Sequence, residues 1–293
     1  MSDATLERVE AHEGAHVVVR RFSMWTRATH AVLAASVFGL VLTGMPMRYP
    51  EAFWSKPILA MCDIAGGAPF LHRMYAVGFF TAGAMHVAGL MGAFVTRKLR
   101  FRDIFGPDSI VPKLEDARNL SRNMRYLQGR GPQPRFARFT YWEKFDYLAE
   151  IWGLLVIGLS GLVMWFPISA ARFLPGWAVN AALIFHAYEA LLAMGFLFAI
   201  HFFNTHLRSE VFPVDPVIFS GNIPMEEVEH RYPGWYERLR AQGAGFVPTR
   251  RDPSRTAVLI STGYLVVGFV TLMFVMLDAL AETWRYLSAF LFE

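Results

Sequence analysis

The sequence has 293 residues, of which 54% are hydrophobic and 18% charged, and its mean hydropathy is +0.32. These values exclude an ordinary soluble domain and indicate an integral membrane protein. The net charge of +4 does not mark a nucleic-acid-binding surface, because the basic residues are concentrated in particular loops. The single cysteine, Cys62, excludes an internal disulfide and an iron–sulfur cluster, and the lack of a C-x-x-C-H motif excludes a c-type haem.

Five apolar blocks are long enough to cross ~30 Å of hydrocarbon, which takes about 20 residues. They span residues 24–46, 70–95, 148–168, 178–204 and 257–280. The first block follows a polar lead and has no small-residue cleavage site, so we expect a retained helix and not a signal peptide. The predicted fold is an all-α integral membrane protein with five transmembrane helices, the first four of which form a bundle.

Basic residues predict the orientation of these helices. There are 4 lysine and arginine residues up to and including Arg27, 12 between the second and third helices, and 7 between the fourth and fifth helices. Both of these loops are short enough for the positive-inside rule, which places the N-terminus in the cytoplasm and the C-terminus outside. We expect three regions: a polar segment at 1–19, the four-helix bundle with its cytoplasmic loops at 20–256, and a fifth helix with an amphipathic outer tail at 257–293.

Histidines are the chemically informative residues of the apolar blocks. Three of the nine lie in polar segments, where a solvated role is expected: His12, His16 and His230. The other six lie in the first, second and fourth helices or at their ends: His30, His72, His86, His186, His201 and His206. One such side chain is most often hydrogen-bonded to a neighbouring helix, but ionisable groups in a membrane are costly, so six together indicate a functional site.

The spacing of these histidines favours haem. His72 and His86 are fourteen residues apart, which places them within about 40° of each other and about 21 Å apart along a helix. His186 and His201, fifteen apart, differ by about 60° and about 22 Å. Two layers of imidazoles at different depths suit b-type haems with two axial histidines each, whereas a zinc site would gather its ligands around one point.

The inner layer has four candidate ligands: His30, His86, His201 and His206. In an α-helix His206 would be turned about 140° from His201. Either one haem uses two of the four, or two haems occupy the inner half on different faces of the fourth helix. The spacing leaves this choice open, and with it the choice between two and three haems.

The chain resembles the multi-span cytochrome b family of respiratory complexes: the gamma subunit of formate dehydrogenase, nickel–iron hydrogenase cytochrome b and thiosulfate-reductase-type cytochrome b. The resemblance covers roughly residues 20–240. The stretches that carry it are RFSMWTRATHAVLAASVFGLVLTGMP, LHRMYAVGFF, YWEKFDYLAEIWGLLVIGLSGLVMWFP, IFHAYEALLAMGFLFAIHFFNTHLRSEVFPVD and SGNIPMEEVEHRYPGWYERL.

The resemblance implies an outer haem on His72 and His186 and an inner haem on His30 and His201. His86 and His206 are additional to that four-ligand pattern, and the spacing in the fourth helix is fifteen where the pattern has fourteen. The resemblance also implies an electron-transfer subunit of a bacterial cytoplasmic-membrane complex, not catalytic alone, with a quinone as substrate. Its partner would be an extracytoplasmic c-type cytochrome or a catalytic oxidoreductase subunit.

Three charged residues near the expected ligands are secondary candidates. Arg27 and Arg73 either pair with haem propionates or extend to the membrane interface. Glu189, one turn after His186, either relays a proton or contacts quinone near the outer haem, or else orients a ligand imidazole.

Two rival functions would also place polar residues in membrane helices. A proton or metal-ion transporter would use the histidines and Glu189, but such proteins usually show broken helices or symmetric repeats, and neither stands out in this sequence. A cofactor-free membrane anchor would explain the spans but not the six histidines.

Overall fold

The computed structural model describes residues 17–212, 214–242 and 247–248, together with separate positions between 262 and 291. Its helices are α1 (Met24–Arg48), α2 (Ser55–Ile64), α3 (Ala68–Val95), α4 (Leu114–Leu127), α5 (Tyr141–Trp165), α6 (Pro167–Ala170), α7 (Trp177–Phe196), α8 (Val217–Ser220), α9 (Met225–Arg231) and α10 (Pro233–Ala241). A 3-10 helix occupies Phe101–Phe105, and a π-helix, π1, continues α7 over Leu197–Leu207. The strands are β1 (Val17–Arg20), β2 (Asn222–Pro224) and β3 (Val247–Pro248).

Within the part of the chain that the structure describes, four helical segments are long and apolar enough to cross a membrane: α1, α3, α5 and the continuous segment Trp177–Leu207. They match the first four predicted blocks. Helix α5 begins at 141 and not at 148, because its first two turns carry charged residues that interrupt the apolar pattern. Most of the predicted fifth helix, 257–280, lies outside the described residues, as do His12 and His16.

The chain divides into two compact units. The first consists of 1–27, 89–148 and 216–257, and the second of 28–88, 149–215 and 258–293. The first unit contains a small antiparallel sheet in which β1 lies between β2 and β3. This sheet was not predicted from the sequence, because strands of two to four residues show too little alternation to be recognised.

In the first unit, a buried polar network links the end of β1 to the first turn of α5. The Arg21 guanidinium, which is 3% exposed, donates to the Tyr232 hydroxyl at 2.6 Å and to Oε1 of Glu143 at 2.9 Å. The Tyr232 hydroxyl donates to the same carboxylate oxygen at 3.0 Å. Burial and the Glu143 charge raise the pKa of Tyr232, which therefore stays a protonated donor. Glu143 also accepts the backbone N–H of Thr140 at 2.8 Å, as in a helix capping box.

The second unit contains all six membrane histidines. Its buried apolar cluster comprises Met45, Tyr49, Ala52, Trp54, Met194 and Ala279. Small residues let its helices approach closely. A Cβ atom on Gly39 would lie 2.3 Å from the Tyr75 ring, and one on Gly78 would lie 2.4 Å from the Ser36 hydroxyl. Glycine at both positions therefore permits the contact between α1 and α3 that brings their histidines near the other helices.

Candidate functional site

Four of the six membrane histidines face one another as two pairs. In one pair, called the outer pair after the orientation predicted from the sequence, His72 of α3 and His186 of α7 have ring centroids 6.2 Å apart and ring planes inclined by 72°. In the inner pair, His30 of α1 and His201 of π1 have centroids 6.4 Å apart and planes inclined by 34°. Each pair therefore joins imidazoles from two different membrane-crossing helices.

The distances within both pairs fit one iron between two axial imidazoles. A ligating nitrogen lies about 2 Å from its metal and the ring centre about 1 Å further, so two opposite imidazoles have centroids about 6 Å apart. Among the described residues, no group of three or more His, Cys, Asp and Glu side chains is gathered as a metal-ion site would require. Haem iron needs only two protein ligands, because the porphyrin provides the other four.

The Nδ1 atom of His186 faces acceptors on α5. It lies 3.0 Å from the Ile157 carbonyl oxygen and 3.2 Å from the Ser160 hydroxyl oxygen. That hydroxyl donates its own hydrogen to the Val156 carbonyl at 2.5 Å, so it acts as an acceptor toward the imidazole. Nδ1 must therefore carry the proton, which leaves Nε2 unprotonated and able to bind a metal.

The other member of the outer pair has the same surroundings on α1. The Thr43 hydroxyl oxygen lies 2.9 Å from Nδ1 of His72 and donates its hydrogen to the Gly39 carbonyl at 2.7 Å. The backbone carbonyl of Leu40 is a second acceptor for this imidazole. In α1 and in α5 alike, a backbone carbonyl and the hydroxyl three residues later both accept the hydrogen bond of one histidine. Both outer imidazoles are therefore held in the tautomer that carries its proton on Nδ1.

A glycine follows each hydroxyl residue and makes room for the imidazole. A Cβ atom on Gly44 would lie 3.0 Å from Cε1 of His72, and one on Gly161 would lie 3.2 Å from Cε1 of His186. The stretches LVLTG and IGLSG, which end at these two glycines, therefore form equivalent supports for the two outer rings. These supports were not predicted from the sequence, although the hydroxyl–glycine pair repeated in the first and third spans was a usable signal.

The π-helix explains the unusual spacing in the fourth span. In a continuous α-helix His201 would be turned about 60° from His186. A π-helix turns only about 80° per residue, so with its last four steps in π1 His201 returns to within about 20° of His186. By the same geometry His206 is turned only about 40° from His201. The value of about 140° expected from the sequence is wrong, because it assumed an α-helix.

His86 and His206 are not members of the two pairs described above. His86 is half-buried in α3. The ring of His206 has its centroid 5.3 Å from that of Phe202, which in turn lies 6.2 Å from that of His201. A role for these two residues in a third haem stays a prediction.

The two arginines near the expected ligands make contacts with the protein. Arg27 donates a hydrogen bond to the Phe219 carbonyl in the first unit. The Arg73 guanidinium lies 5.9 Å from the centroid of the Trp165 ring in the second unit, a cation–π contact. Pairing of either arginine with a haem propionate stays a prediction.

Glu189 is half-buried in α7, one turn from His186. One interpretation of its place in the sequence is that its carboxylate accepts a hydrogen bond from a ligand imidazole. For His186 the described acceptors are instead Ile157 and Ser160. The remaining interpretation of Glu189, as a proton relay or quinone contact, stays a prediction.

Comparison with known proteins gives the family. A family model described as prokaryotic cytochrome b561 matches residues 21–210, a range that contains all six membrane histidines. No curated protein sequence matches the chain. Since the matched range covers well over half of the chain and coincides with its apolar helices, the protein belongs to the prokaryotic cytochrome b561 family, whose members are haem-binding membrane proteins of electron transport.

Proposed function

We propose that this cytochrome holds two b haems and moves electrons across the bilayer between the quinone pool and a partner redox subunit. The outer pair, His72 and His186, holds one haem, and the inner pair, His30 and His201, holds the other. The single observation that supports this assignment most strongly is the presence of two facing imidazole pairs, each at the separation that an iron with two axial histidines requires.

The protein contributes position and electrostatic surroundings. Bound haem supplies one-electron redox chemistry. His186 and His201 lie about 20 Å apart along one membrane-crossing segment, so the two pairs lie at different depths. The outer imidazoles keep Nδ1 protonated toward α1 and α5, which fixes the direction of their Nε2 atoms and increases their basicity.

The membrane orientation and the partners belong to the same proposal. The basic loops support a cytoplasmic N-terminus and an extracytoplasmic C-terminus in a bacterial cytoplasmic membrane, with the fifth helix as the last span. In this orientation the outer pair faces a c-type cytochrome or a catalytic oxidoreductase subunit outside the cell membrane. Glu189 is the proposed proton-relay or quinone-contacting residue near that pair.

A pyridine haemochrome assay on purified protein tests the haem assignment. We expect about two haems b per chain, and we expect His72→Ala and His30→Ala each to remove about one of them. His86→Ala is the matched control and should leave both haems in place. A ratio near three, with loss of one haem in the control, would replace this proposal by a three-haem arrangement. A colourless protein from haem-replete cells would favour the transporter or the anchor.

The quinone link is tested separately from haem binding. Purified holoprotein in lipid vesicles is mixed with a reduced quinol, and reduction of the haems is followed by their absorbance. We expect the quinol to reduce the haems of the unmodified protein after mixing, and to reduce those of Glu189→Gln more slowly. A holoprotein that dithionite reduces but no quinol reduces would refute the quinone link while leaving the haem assignment intact.

A further inference from the structure

Helix α4 is attached to the protein by polar side chains. Both carboxylate oxygens of Asp116 accept from the Lys144 ammonium group, at 2.8 and 2.9 Å, and these side chains are only 12% and 5% exposed. About two turns further on, the Asn123 amide donates to the Tyr141 hydroxyl at 3.1 Å. Both partners belong to the first turn of α5, so a polar flank of α4 is fixed at the end of a membrane-crossing helix.

The apolar side of α4 is left exposed. Leu120, Met124 and Leu127 fall within an arc of about 60° around the helix. Their exposed fractions are 45%, 47% and 68%. An amphipathic helix at the surface of a soluble domain turns such a stripe toward the core. In α4 the core-facing flank is polar instead, so the stripe needs a different apolar neighbour.

The opposite side of α4 is basic. Arg118, Arg122 and Arg125 lie about 140–200° around the helix from Leu120. Arg118 and Arg122 both bond the Glu115 carboxylate, at 3.3 and 2.6 Å, and all of these side chains are largely exposed. An apolar stripe opposite a basic side, on a helix of low overall hydrophobicity, is the pattern of helices that lie in a membrane interface.

We propose that α4 lies in the membrane interface at the N-terminal end of α5, with Leu120, Met124 and Leu127 inserted among the lipids. The attachment to Tyr141 and Lys144 sets the depth of α4, because the charged first two turns of α5 precede its apolar part and so lie at the level of the lipid headgroups. Tyr141 is followed by a tryptophan, and these two residue types are enriched at that level. This inference concerns the first unit and does not depend on the haem assignment.

Site-directed spin labelling in lipid vesicles tests the proposal. The full chain carries Cys62→Ala, which removes the only native thiol, and a nitroxide is attached to one introduced cysteine at a time. Leu120→Cys and Met124→Cys sample the apolar stripe, whereas Arg118→Cys and Arg122→Cys sample the opposite side of the same helix. All four positions are exposed, so the labels do not disturb the protein's interior.

The measurement is the accessibility of each label to molecular oxygen, which partitions into lipid, and to a water-soluble nickel complex. We expect the labels at 120 and 124 to favour oxygen and those at 118 and 122 to favour the nickel complex. Equal access of the nickel complex to all four labels would overturn the proposal in favour of a water-exposed helix. Labels at 120 and 124 that neither reagent reaches would overturn it in favour of a protein partner or a second copy of this chain.

Discussion

Replacing Thr43 by valine removes one acceptor from the outer pair while nearly preserving the shape of the side chain. The Thr43 hydroxyl oxygen lies 2.9 Å from Nδ1 of His72, and the Leu40 carbonyl remains as a second acceptor. A hydrogen bond from Nδ1–H increases electron donation by the imidazole and so stabilises the oxidised iron. Its weakening should therefore raise the midpoint potential of the outer haem.

The size of the shift follows from the strength of the lost bond. One hydrogen bond contributes about 1 kcal/mol net, and because the carbonyl acceptor survives we take about half to all of that value. For a one-electron couple this range corresponds to roughly 20–40 mV. Ser160→Ala removes the equivalent acceptor from His186, so the double variant should shift the same haem by roughly 40–80 mV.

Potentiometric titration of the purified holoprotein, followed at the haem absorbance bands, measures both haems at once. The inner haem should keep its potential in all of these variants. Thr81→Val is a matched control, since the Thr81 hydroxyl donates to the carbonyl of Val77 on the exposed side of α3. An unchanged or lowered outer potential in Thr43→Val, with haem content intact, would refute the account of how the hydroxyl acts. An equal shift in both haems would refute the assignment of Thr43 to the outer pair.

Two further predictions concern packing and the polar network. Gly161→Ala should reduce the haem content per chain and perturb the haem spectrum, because the new Cβ would lie 3.2 Å from the His186 ring. Gly153→Ala on the same helix is the control. A Cβ there would meet nothing within 4 Å, so this variant should behave as the unmodified protein. Arg21→Met should lower the stability of the first unit by about 3 kcal/mol, the low end of the range for a broken buried ion pair, because it leaves the partly buried Glu143 carboxylate without its hydrogen-bonded cation. Faster proteolysis of the loops at unchanged haem content would show this loss, and unchanged proteolysis would contradict it.

The membrane-crossing helices were predictable because hydrophobic length is a direct property of sequence. The first four predicted blocks agree with the helices of the structure, apart from the polar start of α5. In the structure His72 faces His186 and His30 faces His201. The haem ligation that family resemblance implied for these pairs stays a prediction. Spacing alone did not decide which of the four inner histidines pair with each other. The angle of a residue around its own helix does not specify how that helix is rotated relative to its neighbours.

Other features depend on contacts that a linear pattern does not encode. The roles of Thr43 and Ser160 become visible only when another helix brings a histidine to each of them. The contact between Asp116 of α4 and Lys144 could not be predicted for the same reason, since the two residues are 28 positions apart in the sequence. The π-helix was unpredictable for a different reason. Its sequence, LFAIHFFNTHL, contains no glycine or proline that would mark a change of helix winding.

Because of the π-helix, the number of residues between His186 and His201 does not by itself determine the angle between their side chains around the helix. Removing one residue between His186 and His201 and letting π1 close to an α-helix would leave the two imidazoles within about 40° of each other. Chains with fourteen or with fifteen intervening steps can thus present the same pair of ligands, because the extra residue is absorbed as a wider turn. A gap in an alignment at this point of the fourth span therefore marks a change of helix winding and not a loss of the site.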